Sequence, residues 1–457
     1  MLAPINKIPP EILSLVPGFL EPEDRDERII VLTHVCRTWR EVFVSRSSLW
    51  TDFDCLDGKK TRAYFERSGS SPINLSLDLN KGISSFDPLF QIIPHATGRL
   101  ESLFIMGMPE KIPAVIPHLS HPAPLLRYLS IRSDRGCAPE RCPVLTSTLF
   151  NGDLSSLRML HLELVRTELP WRNMVNLTSF TLSHIPPGTA SAGQLLDFLE
   201  SAPYLEEVEL CFVTPEAGVQ DGRLVSLACL KSMNIHGDAP CSALLDHLLI
   251  PARAKLEITA DLFISPARMH LPRSLDNLKN FSDFTTIQLC PGKYCPRMEF
   301  SGPNGQVNMN LRTSRYDSTS LTLESLAEFD TSKTELLQID RGHLLSGEPL
   351  YRALFPMKDL RILTLFRCAN LDIFIRALQP ATSLLEVAVC PKLEEFILVL
   401  HSEWDFNITS AVEMSAARAS RGKKIRTIRI IDGRGGVDLD VSELRKHVWN
   451  VEYGPEV

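Results

Sequence analysis

His118 and His121 stand three residues apart, Cys137 and Cys142 flank Ala-Pro-Glu-Arg, and Cys290 and Cys295 flank Pro-Gly-Lys-Tyr; these are the side chains whose type and spacing could hold a metal. Two cysteines from each of two loops would complete a tetrahedral zinc site if the loops met. Nothing in the sequence brings them together. Pro117 and Pro122 place the histidines in a loop with no carboxylate or cysteine beside them, and none of the eleven cysteines forms a C-x-x-C pair. Ordinary thiols are therefore expected, with no metal and no cofactor. The chain also lacks G-x-x-x-x-G-K-[ST], G-x-S-x-G, H-E-x-x-H and the dinucleotide glycine pattern, so no catalytic residue is predicted and the protein is expected not to be an enzyme. One basic cluster remains: Arg418, Arg421, Lys423, Lys424, Arg426 and Arg429, across a helix end and a strand start. Its plain meaning is a solvated terminus that complements the helix dipole; its sharper meaning is a patch for an acidic partner segment.

At 457 residues, 44% hydrophobic and 23% charged, the chain exceeds one ordinary domain and has the composition of a folded globular protein. A formal net charge of -7 supplies no field that would gather nucleic acid or an anionic membrane, so the expected partners are proteins. No apolar secretory stretch opens the sequence, and no run nears the roughly 18 apolar residues of a membrane span. With an odd number of scattered cysteines, this predicts reduced thiols and a cytoplasmic or nuclear location.

The elements that would position a partner are densest between residues 8 and 50. Pro9 and Pro10 suit the opening of a helix, where their missing N–H groups would have found no acceptor, and Glu11 faces the positive end of the dipole. Ile12, Leu13, Val16, Phe19 and Leu20 follow as a one-sided stripe that Pro17 and Gly18 cut short or kink. Residues 21–27 read as an acidic, solvated loop. From Arg28 onward Ile29, Leu32, Cys36, Trp39 and Phe43 recur every three to four residues, while Val31, Val35 and Val42 widen the apolar face beyond what one neighbour needs. Two such short helices cannot enclose a sizeable core, which predicts that another protein covers them. The plain alternative is a helical hairpin packed on its own downstream domain.

Ile8-Pro9-Pro10-Glu11-Ile12-Leu13, then Val35-Cys36-Arg37-Thr38-Trp39-Arg40-Glu41-Val42, then Ser47-Ser48-Leu49-Trp50 resemble in order and spacing the F-box, the motif of substrate receptors that dock on the Skp adaptor of cullin-RING ubiquitin ligases. The resemblance covers roughly residues 5–50, and Ala63 to Leu75 is similar to the segment that follows in many basidiomycete-type F-box proteins. The charged insertion Glu21 to Arg28 is longer than in many F-boxes. The resemblance implies that Pro9, Pro10, Glu11, Ile12, Leu13, Val16, Leu20, Val35, Cys36 and Trp39 seat against a Skp-family adaptor, and through it a cullin.

Beyond residue 95 one phrase returns: apolar, two residues, apolar, one residue, apolar. It occurs at Leu100/Leu103/Ile105, Leu126/Leu129/Ile131, Leu157/Leu160/Leu162, Leu177/Phe180/Leu182, Leu205/Val208/Leu210, Leu230/Met233/Ile235, Phe284/Ile287/Leu289, Leu360/Leu363/Leu365, Leu384/Val387/Val389 and Ile425/Ile428/Ile430. The spacing is near the roughly 20 to 29 residues of a leucine-rich repeat, and the resemblance is to irregular repeats of that kind. Helical patterns lie between phrases: Ser191 caps Leu195, Leu196, Phe198 and Leu199; Ser242 precedes Leu244, Leu245, Leu248 and Leu249; Asn370 to Gln379 carries Ile373, Phe374, Ala377 and Leu378. In the less regular stretch, Val307-Met309-Leu311 and Leu321-Leu323 alternate around a turn at 302–305. Thr427 to Ile431 and Val437 to Val441 read as strands, and Ser442 to Trp449 as a capping helix.

The expected fold class is thus α/β: a helical F-box (1–50), a linker or first capping repeat (51–95) and a leucine-rich-repeat-like solenoid (96–457), a horseshoe of alternating strands and helices with an irregular β insertion near 290–345. The leucines of each phrase are core. Residues alternating with them face outward, and His161, Glu163, Thr181, Ser183, Glu209, Asn234, His236, Gln288, Thr364 and Phe366 are the candidates for holding a target protein. The function expected is a substrate receptor of a Skp-cullin-F-box ligase; the alternatives are an adaptor-binding scaffold that delivers no substrate, or a hydrolase without a recognisable motif.

Overall fold

The computed structural model describes residues 8–20, 25–54, 58–81, 87–134, 139–146, 148–167, 173–186, 191–213, 222–237, 242–261, 278–292, 295–312, 318–327, 329–379, 389–400, 406–433 and 439–455. They belong to two compact units, Met1–Asp221 and Gly222–Val457. The class is mixed α/β, with a helical amino-terminal segment followed by a strand-rich sheet. Among the described residues no helix is long and apolar enough to cross a membrane.

The first unit runs through α1 (Pro10–Leu13), α2 (Arg25–Thr33), α3 (Arg37–Val44), β1 (Asp52–Asp54), α4 (Gly58–Arg67), β2 (Ile73–Asp78), α5 (Asp87–Ala96), β3 (Leu100–Gly107), α6 (Ile112–Val115), β4 (Tyr128–Ser133), β5 (Val144–Leu145), β6 (Met159–Glu163), β7 (Arg166–Thr167), β8 (Ser179–Ser183), α7 (Ala192–Ser201) and β9 (Glu207–Cys211). Its strands lie parallel in the order β1-β2-β3-β4-β6-β8-β9, with β5 and β7 forming a small ladder apart. Residues 51–95, expected as a linker or capping repeat, already carry two strands of this ladder.

The recurring phrase has a local cause. Its second and third apolar residues alternate inward along the strand, and its first closes a turn just before it: the N–H of Leu126, Leu157, Leu177 and Leu205 donates to the carbonyl three residues back, on Ala123, Leu154, Met174 and Ala202. The leucines stack in register, Leu129 beside Leu160, Phe180 and Val208, and are sealed from water. Each such burial contributes about 1.5–3 kcal/mol. Strand ends share a second device that the sequence does not announce. Leu164, His184 and Phe212 sit in the left-handed region with φ of 53°, 53° and 52°, and the N–H groups of Leu164 and His184 reach the carbonyls of Ser183 and Cys211 on the next strand. Ser191 caps α7 as expected: its hydroxyl accepts from the Gln194 N–H at 3.2 Å and the Gln194 side chain accepts from the Ser191 N–H at 2.9 Å. Ser191→Ala removes one half of this reciprocal pair and is expected to cost about 1 kcal/mol, read as a lower urea midpoint.

The second unit continues with β10 (Val225–Ser226), β11 (Ser232–Gly237), α8 (Ser242–Leu245), β12 (Leu248–Leu249), β13 (Lys255–Asp261), β14 (Thr286–Cys290), β15 (Arg297–Gly302), β16 (Gly305–Arg312), α9 (Ser318–Leu326), β17 (Leu336–Asp340), α10 (Glu348–Leu354), β18 (Ile362–Phe366), α11 (Leu371–Ala377), β19 (Glu395–Leu400), α12 (Ile408–Ser420), β20 (Thr427–Asp432), α13 (Ser442–His447) and β21 (Asn450–Pro455). Strand order is β11-β13-β16-β15-β14-β17-β18-β19-β20-β21, parallel throughout except that β15 runs against both neighbours. The expected irregularity near 290–345 is this meander, which makes β13 pair with β16 instead of with β14. At its turn Gly305 has φ +116°, and a Cβ there would collide with the carbonyl oxygen of Ala252.

Several expectations need correction here. Leu248 and Leu249 are not helical but form β12 beside β10, and Leu321 to Leu323 lie in α9, not in a strand. The phrase proposed at Leu384/Val387/Val389 starts outside the described residues; the strand is β19, carried by Leu393, Phe396 and Leu398. β17 does not show the phrase in the sequence, because it begins on Thr334, a buried polar residue in the leucine position whose hydroxyl turns to the Phe284 carbonyl at 3.4 Å. Of Val437 to Val441, residues 437–438 lie outside the described residues and 439–441 are not strand. The capping helix ends at His447, and the chain adds one more strand, β21.

Candidate docking site

Pro9 and Pro10 open α1 as their chemistry demands, with Pro9 extended at φ -60°, ψ 145°. α1 is a single turn. The chain bends at Ser14 and re-enters a 3-10 turn, Val16–Phe19, in which Pro17 occupies an opening position. A second break follows at residues 34–36, where Cys36 is fully extended at φ -161°, ψ 175°. The Thr33 hydroxyl donates to the Ile30 carbonyl at 2.7 Å and Arg40 Nε to the Thr33 carbonyl at 3.0 Å, satisfying groups that the ending of α2 leaves open. The predicted stripe from Ile29 to Phe43 is therefore divided between two helices.

These breaks let three short helices turn faces toward one another. Leu13 from α1, Ile29 from α2, and Trp39 and Phe43 from α3 are buried, the two rings meeting edge to face at 5.6 Å. Arg46 Nη1 donates to the Ser14 carbonyl at 2.6 Å and ties the end of α3 back to α1. Leu49 and Trp50 are also interior. Trp50 Nε1 donates to the Phe43 carbonyl at 2.9 Å, its ring meets Tyr64 of α4 edge to face at 4.9 Å, and the Arg67 guanidinium covers it at 4.4 Å. The Leu-Trp end is thus a bolt to the chain's own next elements.

Leu13 is 1% and Trp39 7% exposed, so both are enclosed within the chain, unlike the open side chains the docking expectation gave them. Part of the segment's apolar surface, expected to need an outside partner, is thus closed within the chain, and Tyr64 and Arg67 of α4 cover Trp50. Pro9, Pro10, Glu11, Ile12 and Val35 are exposed, and Val16, Leu20 and Cys36 are half-buried. The large apolar side chains left in water are Phe19 at 85%, Val31 at 63%, Leu15 at 55%, Ile12 at 54% and Val35 at 45%. The exposure of Leu15, Phe19 and Val31 is not read from periodicity, which assigns faces to a continuous helix, because each bend reassigns them. The Pro17-Gly18 pair was the available signal.

The sheet-face candidates are divided between the two units. In the first unit Ser130, His161, Thr181 and Glu209 stand side by side on successive strands, with Arg132, Glu163, Ser183 and Cys211 one step along. Glu163 is buried and held by Arg132 through Nε at 2.8 Å and Nη2 at 2.7 Å, which makes it an internal ion pair instead of a free contact. His161 has its pKa lowered by burial and by Arg132. The Cys211 thiol is pushed up to about 11 by burial and by Glu209, so it is protonated and a poor nucleophile near neutrality. In the second unit Asn234 and His236 pair in register with Glu257 and Thr259, Gln288 with Gln338, Thr364 with Gln338 on its other side, and Phe366 with Asp340. Among the described residues no group of three or more His, Cys, Asp or Glu could hold a metal; Cys137 lies outside them, Cys142 is buried, and His121 and Cys295 are exposed.

Residues 5–56 match the model of the F-box-like family. No curated protein matches the chain. The helical segment from α1 to β1, with its closed interior and uncovered outer apolar side chains, is an F-box-like domain.

Proposed function

We propose that the protein is a substrate receptor of a Skp-cullin-F-box ubiquitin ligase, seated on a Skp-family adaptor by its F-box-like domain. The observation that carries this reading is the exposure of Ile12, Leu15, Phe19, Val31 and Val35 on a domain that already has its own core. Side chains that a domain does not need for folding, and that cost solubility when left in water, have a use at an interface. Pro9, Pro10 and Glu11 flank them at the opening of α1. In this reading the adaptor contact set keeps Pro9, Pro10, Glu11, Ile12, Val35 and the half-buried Val16, Leu20 and Cys36, gains Leu15, Phe19 and Val31, and loses Leu13 and Trp39.

The strand phrases, the turns that precede them and the parallel register support reading the remainder as an irregular leucine-rich-repeat-like solenoid whose outward side chains hold a target protein. The chain then supplies proximity between target and a ubiquitin-charged enzyme and contributes no reacting group. The site of action proposed is cytoplasmic or nuclear. The test is co-purification of the full chain from cells: adaptor and cullin together support the receptor reading, whereas adaptor without cullin assigns the protein to scaffolds that bind the adaptor and ubiquitinate nothing.

A further inference from the structure

The basic cluster at residues 418–429 divides in the structure. Arg418 is buried inside the chain, and Arg429 is neutralised by Glu452 through Nε at 2.7 Å and by Glu395 through Nη2 at 3.3 Å. What remains outside is a turn of fixed shape. α12 ends with Gly422 in the left-handed region at φ +72°, its N–H bonded to the Ala419 carbonyl and the Lys423 N–H to the Arg418 carbonyl, the paired bonds of a Schellman ending. This geometry holds Lys423 and Arg426 in water with Lys424 between them.

The end of α13 lies against the same turn. The Trp449 N–H donates to the Ile425 carbonyl at 3.3 Å and the Asn450 N–H to the Arg426 carbonyl at 2.9 Å. Trp449 is 75% exposed, and Lys424 Nζ sits 4.6 Å from the centre of its ring. Arg445, one turn before Trp449, is exposed as well. Of the carboxylates around this turn, Glu443 is engaged by Lys446, and Glu395 and Glu452 by Arg429. Lys423, Lys424, Arg426 and Arg445 have no carboxylate partner among the described residues.

We infer that this surface binds an acidic peptide segment of a partner protein, with Lys423, Lys424, Arg426 and Arg445 meeting its carboxylates or phosphates and Trp449 meeting an apolar side chain within it. Dipole complementarity accounts for cations at a helix end but not for an indole left in water beside them. An exposed tryptophan within a cationic rim has the chemistry of an interface anchor. A short peptide fits better than a nucleic acid, because the patch holds four cations around a single exposed indole and, among the described residues, offers no further run of cations and aromatic faces along which a strand of phosphates and stacked bases is held. The inference stands on a different part of the chain from the adaptor-docking reading and does not depend on it.

The experiment is fluorescence anisotropy with the full chain and three labelled probes: a short Asp/Glu-rich peptide containing leucine, the same peptide with Asn and Gln in place of the acids, and a single-stranded oligothymidine. The acidic peptide is expected to bind with an affinity that falls as salt rises, and the neutral one at least about tenfold more weakly. Lys424→Glu with Arg426→Glu is expected to weaken acidic-peptide binding at least about tenfold, and Trp449→Ala about three- to tenfold, with unchanged circular dichroism and melting temperature. The charge-matched control Lys358→Glu with Arg376→Glu, both exposed elsewhere in the second unit, is expected to leave it intact. The inference is overturned by absence of acidic-peptide binding, by an equal loss in the control, by indifference to Trp449→Ala, or by tighter binding of the oligonucleotide through the same residues.

Discussion

Phe19→Asp combined with Val31→Asp is expected to abolish capture of a Skp-family adaptor, weakening it by more than about a hundredfold, while leaving the thermal unfolding of the protein in place. Both side chains are mostly in water, so a carboxylate there meets solvent in the free protein and costs little. At an interface that takes an apolar side chain there, the same carboxylate would lose its water. Leu13→Ala and Trp39→Ala provide the contrast. They cut into the interior formed with Ile29 and Phe43, and about 3–5 kcal/mol apiece would be lost from folding, taking binding with it. Calorimetric titration with purified adaptor, paired with a thermal melt of each variant, separates the two classes. Undiminished affinity in the Asp pair would place the interface elsewhere on the protein.

Arg418→Met is expected to destabilise the second unit by about 2–4 kcal/mol, because two buried carbonyls lose their donors. The Arg418 guanidinium is sealed from water and donates through Nη1 to the Val389 carbonyl at 2.9 Å and through Nη2 to the Cys390 carbonyl at 2.8 Å. Burial lowers its pKa, yet an arginine remains charged at any physiological pH. It braces Cys390, which is held in the left-handed region at φ 49° and leads through Leu393 into β19. Methionine fills much of the volume but leaves two buried carbonyls without donors. Lysine keeps the charge and loses the planar fork, so Arg418→Lys should recover only part of the stability. Urea unfolding followed by protection of β19 and β20 amides from hydrogen exchange reads the effect, and a midpoint within error of the unmutated chain would show that the brace is dispensable.

The same arginine shows where a linear reading stops. As a letter in a basic run, Arg418 cannot be told from Arg421 or Lys423; helical geometry turns it inward and leaves the others outside. The F-box-like segment was legible because proline chemistry and the Val-Cys-x-x-Trp spacing are local. Which of its apolar side chains stay in water was not, since exposure depends on how α1, α2 and α3 cross. The strand phrases were legible wherever leucine occupies the entry turn. They were illegible at Thr334, where a threonine does the work of a leucine by bonding a neighbouring carbonyl, and in residues 248–249 and 321–323, where short apolar runs suit strand and helix equally.

What the residues alone determine here is periodicity: a helical opening at Pro9-Pro10, an alternating inward face in strand after strand, and a capping box at Ser191, each set by interactions within a few residues of chain. Tertiary packing decided the rest. It closed Leu13 and Trp39 inside while leaving Phe19 and Val31 in water, tied Glu163 to Arg132, inverted the strand order between β13 and β17, and set Trp449 beside Lys424. The physical reason is that burial and charge pairing are properties of neighbours in space, and a one-dimensional pattern specifies which side of an element is apolar without specifying what will cover it.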